Sequence, residues 1–389
     1  MDENIHILNA LKVGEKRRKI IRIKKNNRMK KVKKEKAYHS RAFFIFIFII
    51  IVFVFFLYCL IFKEYKKKKN NNYKRDLETF HLIFNNSFQY NEFDENINQK
   101  YIQLQNYFCE KQNDILIQKY EKRIKLANAN FEGKIFDLFV FNSSDAVSIN
   151  ILRNHNWEGD LTKKVLKALD YYAKKKNVEN KDVYLLDIGS NIGWYTYFLG
   201  KYGYKILSFE ASPVNSYILY KNYCLNKDTN VTIINKGLDK EDLKCILRTI
   251  IGNEGDGMVF CENREGNLSD FNGVILNIEL TRLSKYYKFL SNKNLAIIKM
   301  DVEGAEGNVI EGGEELISKY HVPFIMMEFE VKMLNVHKTK VLEFLKFFEN
   351  NGYKISKEDF FSKRYISPEE LIQNRRNNDL FIVYEKILE

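Results

Sequence analysis

The run IIKMDVEGAEGNVIEGG, residues 297–313, leads from an apolar segment through an acidic, glycine-bearing turn into a helical pattern. Upstream, VYLLDIGSNIGWYT (183–196) has the same plan. Each apolar run ends on an aspartate, Asp301 or Asp187, and a glycine follows, Gly304 or Gly189. Strands that hand an acid and a tight turn to the next helix predict an α/β fold whose ligands bind at the carboxyl edge of a parallel sheet. Working outward, VYLLDIG (183–189), KILSFEA (205–211), VTIINKGL (231–238), LAIIKMDVEG (295–304), FIMMEFE (324–330) and DLFIVYE (379–385) read as strands. The stretches at 192–203, 213–226, 307–320 and 338–353 read as helices between them. Near-continuous apolar strands fit burial on both faces. Residues 244–282 break the alternation and predict a hairpin or irregular insertion.

The chemistry concentrates at three strand ends. Asp187 is followed by Gly189, Asn191 and Gly193 before a helix, a turn that brings backbone close to a ligand. Glu210 ends the second strand, placed to accept hydrogen bonds from a nucleoside's ribose hydroxyls or to complement the helix that starts near Pro213. A bare glycine turn suits a pyrophosphate. Here Asn191 stands where its second glycine would be, and Asp187 adds negative charge, so a cationic sulfonium with an amino-acid tail suits the turn better. In the third segment Asp301, Glu303 and Glu306 crowd beside Lys299. The plain reading has Glu303 and Glu306 complementing a helix N-terminus; the functional one is a reactive carboxylate cluster.

The chain has 389 residues and a net charge of +13. That charge is local: residues 1–42 carry +11, residues 63–75 carry +6, and residues 76–389 carry −4. A basic groove for DNA or RNA is therefore not supported. Between the basic flanks lies FFIFIFIIIVFVFFLYCLIF (43–62), twenty uncharged residues. As a helix they would span about 30 Å, enough to cross a bilayer core. No small-residue cleavage site follows, which predicts a single-pass signal-anchor rather than a cleaved signal peptide. The heavier basic charge before the span favours a cytoplasmic tail and a translocated domain in the endoplasmic reticulum or Golgi lumen. Sequons begin at Asn85, Asn142, Asn230 and Asn267. Cys59 lies in the span; Cys109, Cys224, Cys245 and Cys261 make no metal-ligand spacing, and their spacing assigns no disulfide pairs. The histidines are scattered, so no metal is expected. The predicted organisation is a basic tail (1–42), a transmembrane helix (43–62), a stem (63–130) with some helix in 99–128, and a domain (131–389).

DIGSNIGWYT, SFEASPVN, VTIINKGL, IIKMDVEGAEGNVIEGG and PFIMMEFE together resemble an FkbM-type methyltransferase domain over roughly residues 137–385. DAVSINILRNHNWEGD resembles that family's element before the first strand. Ser190 stands where the family often has Ala, and Ala211-Ser212-Pro213 replaces a more usual Pro-initial run. The resemblance implies the class I methyltransferase fold, a Rossmann-like, mostly parallel seven-stranded sheet that binds S-adenosyl-L-methionine. It implies that Asp187, Gly189, Ser190, Asn191 and Gly193 form the turn around the methionine moiety. Glu210 would hold the ribose, and Asn235–Gly237 would flank the adenine. The implied reaction is methyl transfer to a hydroxyl of a saccharide, glycolipid or other small acceptor. Asp301 is then the expected general base, with Glu303 orienting the acceptor and Glu328 a third catalytic candidate. His155, just before Trp157, has a structural reading and a weaker site reading. Two other readings stay open: a nicotinamide-dependent sugar-modifying oxidoreductase, and an inactive Rossmann-like binding module.

Overall fold

The computed structural model describes residues 92–111, 123–142, 145–250, 253–261, 274–373 and 378–389. All fall in the compact unit Tyr73–Glu389. The basic tail, the apolar span 43–62 and the start of the predicted stem lie outside the described residues. Among the described residues no helix is long and apolar enough to cross a membrane.

Seven strands make the central sheet: β3 (Val183–Ile188), β4 (Lys205–Phe209), β5 (Asn230–Ile234), β10 (Asn294–Met300), β11 (Phe324–Phe329), β12 (Tyr353–Ser356) and β13 (Asn378–Tyr384). Their order is β12-β13-β11-β10-β3-β4-β5. From β3 the chain steps outward through β4 to β5, then crosses back to lay β10 on the other side of β3. That reversal opens a crevice at the carboxyl ends of β3 and β10, where open α/β sheets bind ligands. β10, β3, β4, β5 and β11 run parallel, while β13 is antiparallel to both β11 and β12. The mostly parallel seven-stranded sheet of the class I methyltransferase fold is therefore present.

Burial follows the two-residue period of a strand. Along β11, Phe324 and Met326 enter the core on one face while Ile325, Met327 and Phe329 enter the core on the other. Along β13, Phe381 and Val383 oppose Leu380 and Ile382 in the same way. The helices that cover the first face include α1 (Glu95–Glu110), α2 (Ala146–Asn154), α3 (Gly159–Lys176), α4 (Trp194–Gly200) and α5 (Pro213–Leu225). Residues 213–223 of α5 are all buried, since α1 and the hairpin of β1 (Ile124–Phe131) and β2 (Lys134–Phe141) cover its outer side.

Three expectations need correction. The described parts of 92–130 are not a separable stem, because α1 and β1 are built into the domain. Gln105 is fully buried and acts as a short surrogate strand on edge strand β5: its Nε2 donates to the Val231 carbonyl at 3.0 Å and its Oε1 accepts from the Ile233 amide at 2.9 Å. Cys109 is disulfide-bonded to Cys224, tying α1 to α5. The β1–β2 hairpin turns through Glu132 (φ +46°) and Gly133 (φ +73°), the two positive dihedrals of a type I′ turn.

The stretch 338–353 is helix only through α8 (Val341–Asn350); Gly352, at φ +82°, ends it and starts β12. The stretch 231–238 divides into β5 and the two-residue β6 (Gly237–Leu238). The insertion forms β7 (Leu243–Ile250), β8 (Asn253–Cys261) and β9 (Val274–Thr281), in a four-stranded sheet ordered β6-β9-β7-β8. A second disulfide joins Cys245 to Cys261, directly paired across β7 and β8.

Gln105→Leu removes both hydrogen bonds to β5 and leaves two buried backbone groups unpaired. It should lower the unfolding free energy by about 2–6 kcal/mol, at roughly 1–3 kcal/mol per orphaned group. Urea unfolding measures this, and an unchanged midpoint would refute the surrogate-strand role.

Candidate active site

The two strand ends singled out in the sequence meet. Asp301 N donates to the Ile188 carbonyl at 3.1 Å, continuing the β3–β10 pairing past the strands. Gly189 follows at φ +75°, and a Cβ built there would lie 1.8 Å from the Asp301 carbonyl oxygen, so only glycine fits. The amides of Gly189 and Ser190 both donate to the Phe209 carbonyl at 3.0 Å, which ties the turn to β4. Asn191 takes a left-handed conformation, φ +52°, and Gly193, at φ +94°, begins α4.

Glu210 ends β4 and closes on that turn. Its Oε2 accepts from the Asn191 amide at 2.8 Å and its Oε1 from the Ser212 amide at 2.7 Å. The capping of α5 itself falls to Ser212, whose hydroxyl accepts from the Asn215 amide. Glu210 is buried, yet it lines a cavity, and its Oε2 keeps a further lone pair. Next to it, the Asn215 side chain directs Nδ2 toward Glu210 Oε1 at 3.5 Å. The opposite amide orientation would set two acceptors against each other. Asn215 Oδ1 is left buried with no hydrogen-bond partner among the described residues, on the wall of the same cavity. Together these groups accept hydrogen bonds from a ligand rich in hydroxyl or amino donors. Asn235 Nδ2 braces this corner from β5's end, donating to the Glu210 carbonyl at 2.8 Å and to Ser216 Oγ at 2.7 Å.

Across the cavity, the turn after β10 presents Asp301 and Glu303. Glu303 (φ +54°) is held in a left-handed conformation that non-glycine residues rarely adopt. Gly304 (φ +95°) follows, with no room for a Cβ against Met333 of helix α7 (Val331–Val336). Glu306, the first residue of the helix Glu306–Glu311, folds back on this turn: its Oε1 accepts from Val302 N at 3.1 Å and Gly304 N at 3.4 Å. Leu247, Val259 and Phe260 of the β7–β8 insertion supply an apolar wall, and Gly237 at the start of β6 and Asp239 just past its end line the cavity beside it. A second cavity shares Gly189, Asn191, Asp301 and Glu303 with the first and reaches Trp157, Tyr195 and Lys299.

Of the residues expected from sequence, Gly189, Asn191, Glu210, Gly237, Asp301 and Glu303 line the main cavity. Ser190 faces the second one, with its hydroxyl 2.7 Å from the Asp187 carbonyl. Gly193 sits behind the turn, where a Cβ would meet Leu219 at 2.6 Å. Asp187 is wholly buried: its Oδ2 accepts from Thr196 Oγ1 at 2.5 Å, and its Oδ1 lies 3.9 Å from Lys299 Nζ. Ligand contact by Asp187 is thus corrected to support of the turn from beneath. Glu328 pairs in register with Asp379 on β13, at the same sheet edge but off the cavity wall. His155 caps α2, with Nδ1 2.8 Å from the Asn128 carbonyl, and lies outside the site. Asn215 and Asp239 went unpredicted; the only sequence signal for Asn215 is its place one helical turn past the Glu210 strand end. Among the described residues no cluster of His, Cys, Asp and Glu could hold a metal.

Carboxylates dominate the sheet edge. Burial pushes Glu328 up to about 7, with further upward pressure from Asp301 and Asp379. Burial also pushes Glu210 up to about 7 against its backbone hydrogen bonds. Glu158, half-buried and bonded to the Tyr195 hydroxyl at 2.9 Å, is raised as well, chiefly by desolvation. Such a surface suits a cationic ligand.

Residues 187–355, less than half of the chain, match the family described as Methyltransferase FkbM domain. Methyltransferase 1 of Beauveria bassiana (strain ARSEF 2860) is 29% identical over 145 residues, covering 34% of this chain. The chain spans 58% of that relative's length. The magnesium protoporphyrin IX methyltransferase of Synechocystis PCC 6803, solved with bound SAM, overlaps 72% of this chain and 97% of its own, at 10% identity and a TM-score of 0.30. The precorrin-6y C5,15-methyltransferase of Geobacter metallireducens GS-15 overlaps 56% of this chain and 87% of its own, at 11% identity and a TM-score of 0.26. Both overlaps are loose, and the fold rests on the strand order itself.

Glu210, Glu306 and Glu328 each titrate near 7 in the folded chain against a usual 4.5. The folded state therefore binds more protons than the unfolded one between those values. Their contribution is present below about pH 4.5 and is lost as pH rises through 7. The unfolding free energy of the ligand-free protein should fall between pH 5 and 7.5, with about 2–3 kcal/mol from Glu210 alone. Denaturation at each pH should show a flatter profile for Glu210→Gln; an identical slope would remove Glu210 as a source.

Proposed function

From the premise that residues 187–355 form an FkbM-type methyltransferase domain, we propose that the chain is an S-adenosyl-L-methionine-dependent methyltransferase that O-methylates a saccharide, glycolipid or other small hydroxyl-bearing acceptor. The observation that carries this reading is the Asn191–Glu210 hydrogen bond. It binds the glycine turn to the acid of the second strand on one cavity wall, with Asp301 facing them. The residues fit the donor. Glu210 Oε2 offers an accepting lone pair, Asn215 has an orphaned buried oxygen on the cavity wall, and the carboxylates of the sheet edge favour a cation.

When bound, S-adenosyl-L-methionine supplies a methyl group on a positively charged sulfur, open to displacement by a nucleophile. Glu210 and Asn215 would hold the ribose hydroxyls, and Gly189, Ser190 and Asn191 would form the floor beneath the amino-acid end. Acceleration then comes chiefly from position: the acceptor oxygen must be held in line with the bond that breaks. Asp301 takes the proton that the acceptor hydroxyl releases. Glu303, fixed by its unusual backbone, orients that hydroxyl. Glu328, poised near neutrality, holds a proton at the same edge and passes it to solvent.

Residues 43–62 anchor the protein in a membrane as a single span, with the catalytic domain lumenal. Support comes from the Cys109–Cys224 and Cys245–Cys261 disulfides, which belong in an oxidising compartment, and from Asn142 and Asn230, exposed as sequons must be. That orientation requires the donor to be delivered across the membrane.

Full-length protein in detergent should bind S-adenosylhomocysteine in calorimetry and transfer label from S-adenosylmethionine to a total glycan and lipid extract. Binding of NAD in its place would overturn the reading. Glu210→Ala should weaken S-adenosylhomocysteine binding by about 1–3 kcal/mol. Asp301→Asn should leave that binding intact and slow transfer; a wild-type rate would remove Asp301 as the base.

A further inference from the structure

Lys299 is a cation in the middle of a parallel sheet, only 4% exposed. A charge survives there only when its partners offset the lost hydration. Its Nζ lies 3.3 Å from the Gly189 carbonyl oxygen, 3.6 Å from Asp301 Oδ2 and 3.9 Å from Asp187 Oδ1. Its ammonium also sits 5.2 Å from the centroid of the Tyr195 ring, and Tyr195 in turn donates to Glu158. Burial pulls the ammonium toward neutrality, but Asp301, Asp187 and Glu158 outweigh it and keep Lys299 charged.

The three oxygens come from different parts of the site. Gly189 belongs to the turn under the donor, Asp187 to the strand beneath that turn, and Asp301 to the opposite wall. Lys299 and Asp187 are also register partners across β10 and β3, so the contact is set by sheet pairing rather than by a flexible loop. An apolar side chain would fill this space, but it would fasten neither the Gly189 carbonyl nor the Asp301 carboxylate.

We propose that Lys299 is a positioning residue that holds the donor-side turn and the Asp301 carboxylate in one rigid frame, so that methyl donor and proton acceptor keep a constant separation. This rests on the reading of Asp301 as the base. Lys299 itself touches neither the methyl group nor the acceptor; it acts through Gly189 and Asp301.

The test uses the full chain with two readouts, calorimetric affinity for S-adenosylhomocysteine and labelled-methyl transfer to the glycan and lipid extract at saturating donor. Lys299→Met should slow transfer by about tenfold or more, as misplaced reacting groups do, with an affinity change of no more than about fivefold. Lys299→Arg keeps the charge on a longer, planar group. It should restore affinity, and its transfer rate should lie at least about threefold above Lys299→Met and about threefold below wild type. The double variant K299M/D187N removes both buried charges, which favours folding, and should remain as slow as Lys299→Met.

The proposal is overturned if a folded variant lacking the ammonium transfers within about twofold of wild type, or if the whole loss lies in S-adenosylhomocysteine affinity. If neither neutral variant folds, Lys299→Arg decides: a wild-type rate overturns the proposal, and a reduced rate with unchanged affinity sustains it. A wild-type rate in Asp301→Asn would instead strike the base reading, which keeps the two failures distinct.

Discussion

The approach of Gly189 to the Asp301 carbonyl is the constraint on which the site depends. No side chain fits between the two strand ends. β3 and β10 therefore remain paired one step beyond the sheet, and their turns diverge from a common point. The cavity is the space between those diverging turns, and its walls inherit the stiffness of the two central strands. Glu210 then ties the first turn to β4, so three adjacent strands hold a single rim.

Electrostatics at this rim are uneven in a way that binding explains better than stability does. Asp187, Glu158, Asp301 and Asp379 gather near one buried ammonium, with Glu328 beside Asp301 and Asp379, and several of them are held above their ordinary titration range by burial and by one another. A fold selected for stability alone would disperse these charges, since unpaired buried carboxylates oppose folding. Concentrated at the end of a parallel sheet, they form a negative field that a sulfonium or an ammonium relieves on arrival.

Much of this was legible in the sequence, for identifiable reasons. Strands buried on both faces read as continuous apolar runs, and six of the seven central strands stand out that way. β12 did not, because its four residues follow directly on the amphipathic α8 and share its apolar character. The β1–β2 hairpin was hidden because its turn is Glu132-Gly133 rather than the Asn-Gly or Asp-Gly that signals a type I′ turn. The docking of α1 depends on one glutamine in a polar, Asn-rich stretch, and no periodicity announces a side chain that imitates a strand. At the site, Glu210, Asp301 and Glu303 were marked by spacing from glycine turns. The burial of Asp187 and the orphaned oxygen of Asn215 depend on which way a side chain points once helices have packed, and that is a tertiary property.

The bond between Cys109 and Cys224 has a mechanical meaning for a chain whose upstream part is read as a membrane tether. A pull arriving from residues before α1 meets a covalent link to α5, a helix buried over residues 213–223, within a few residues of Gln105. Tension that strips α1 from β5 would therefore stop at Cys109, because the covalent link holds the rest of the chain to the domain.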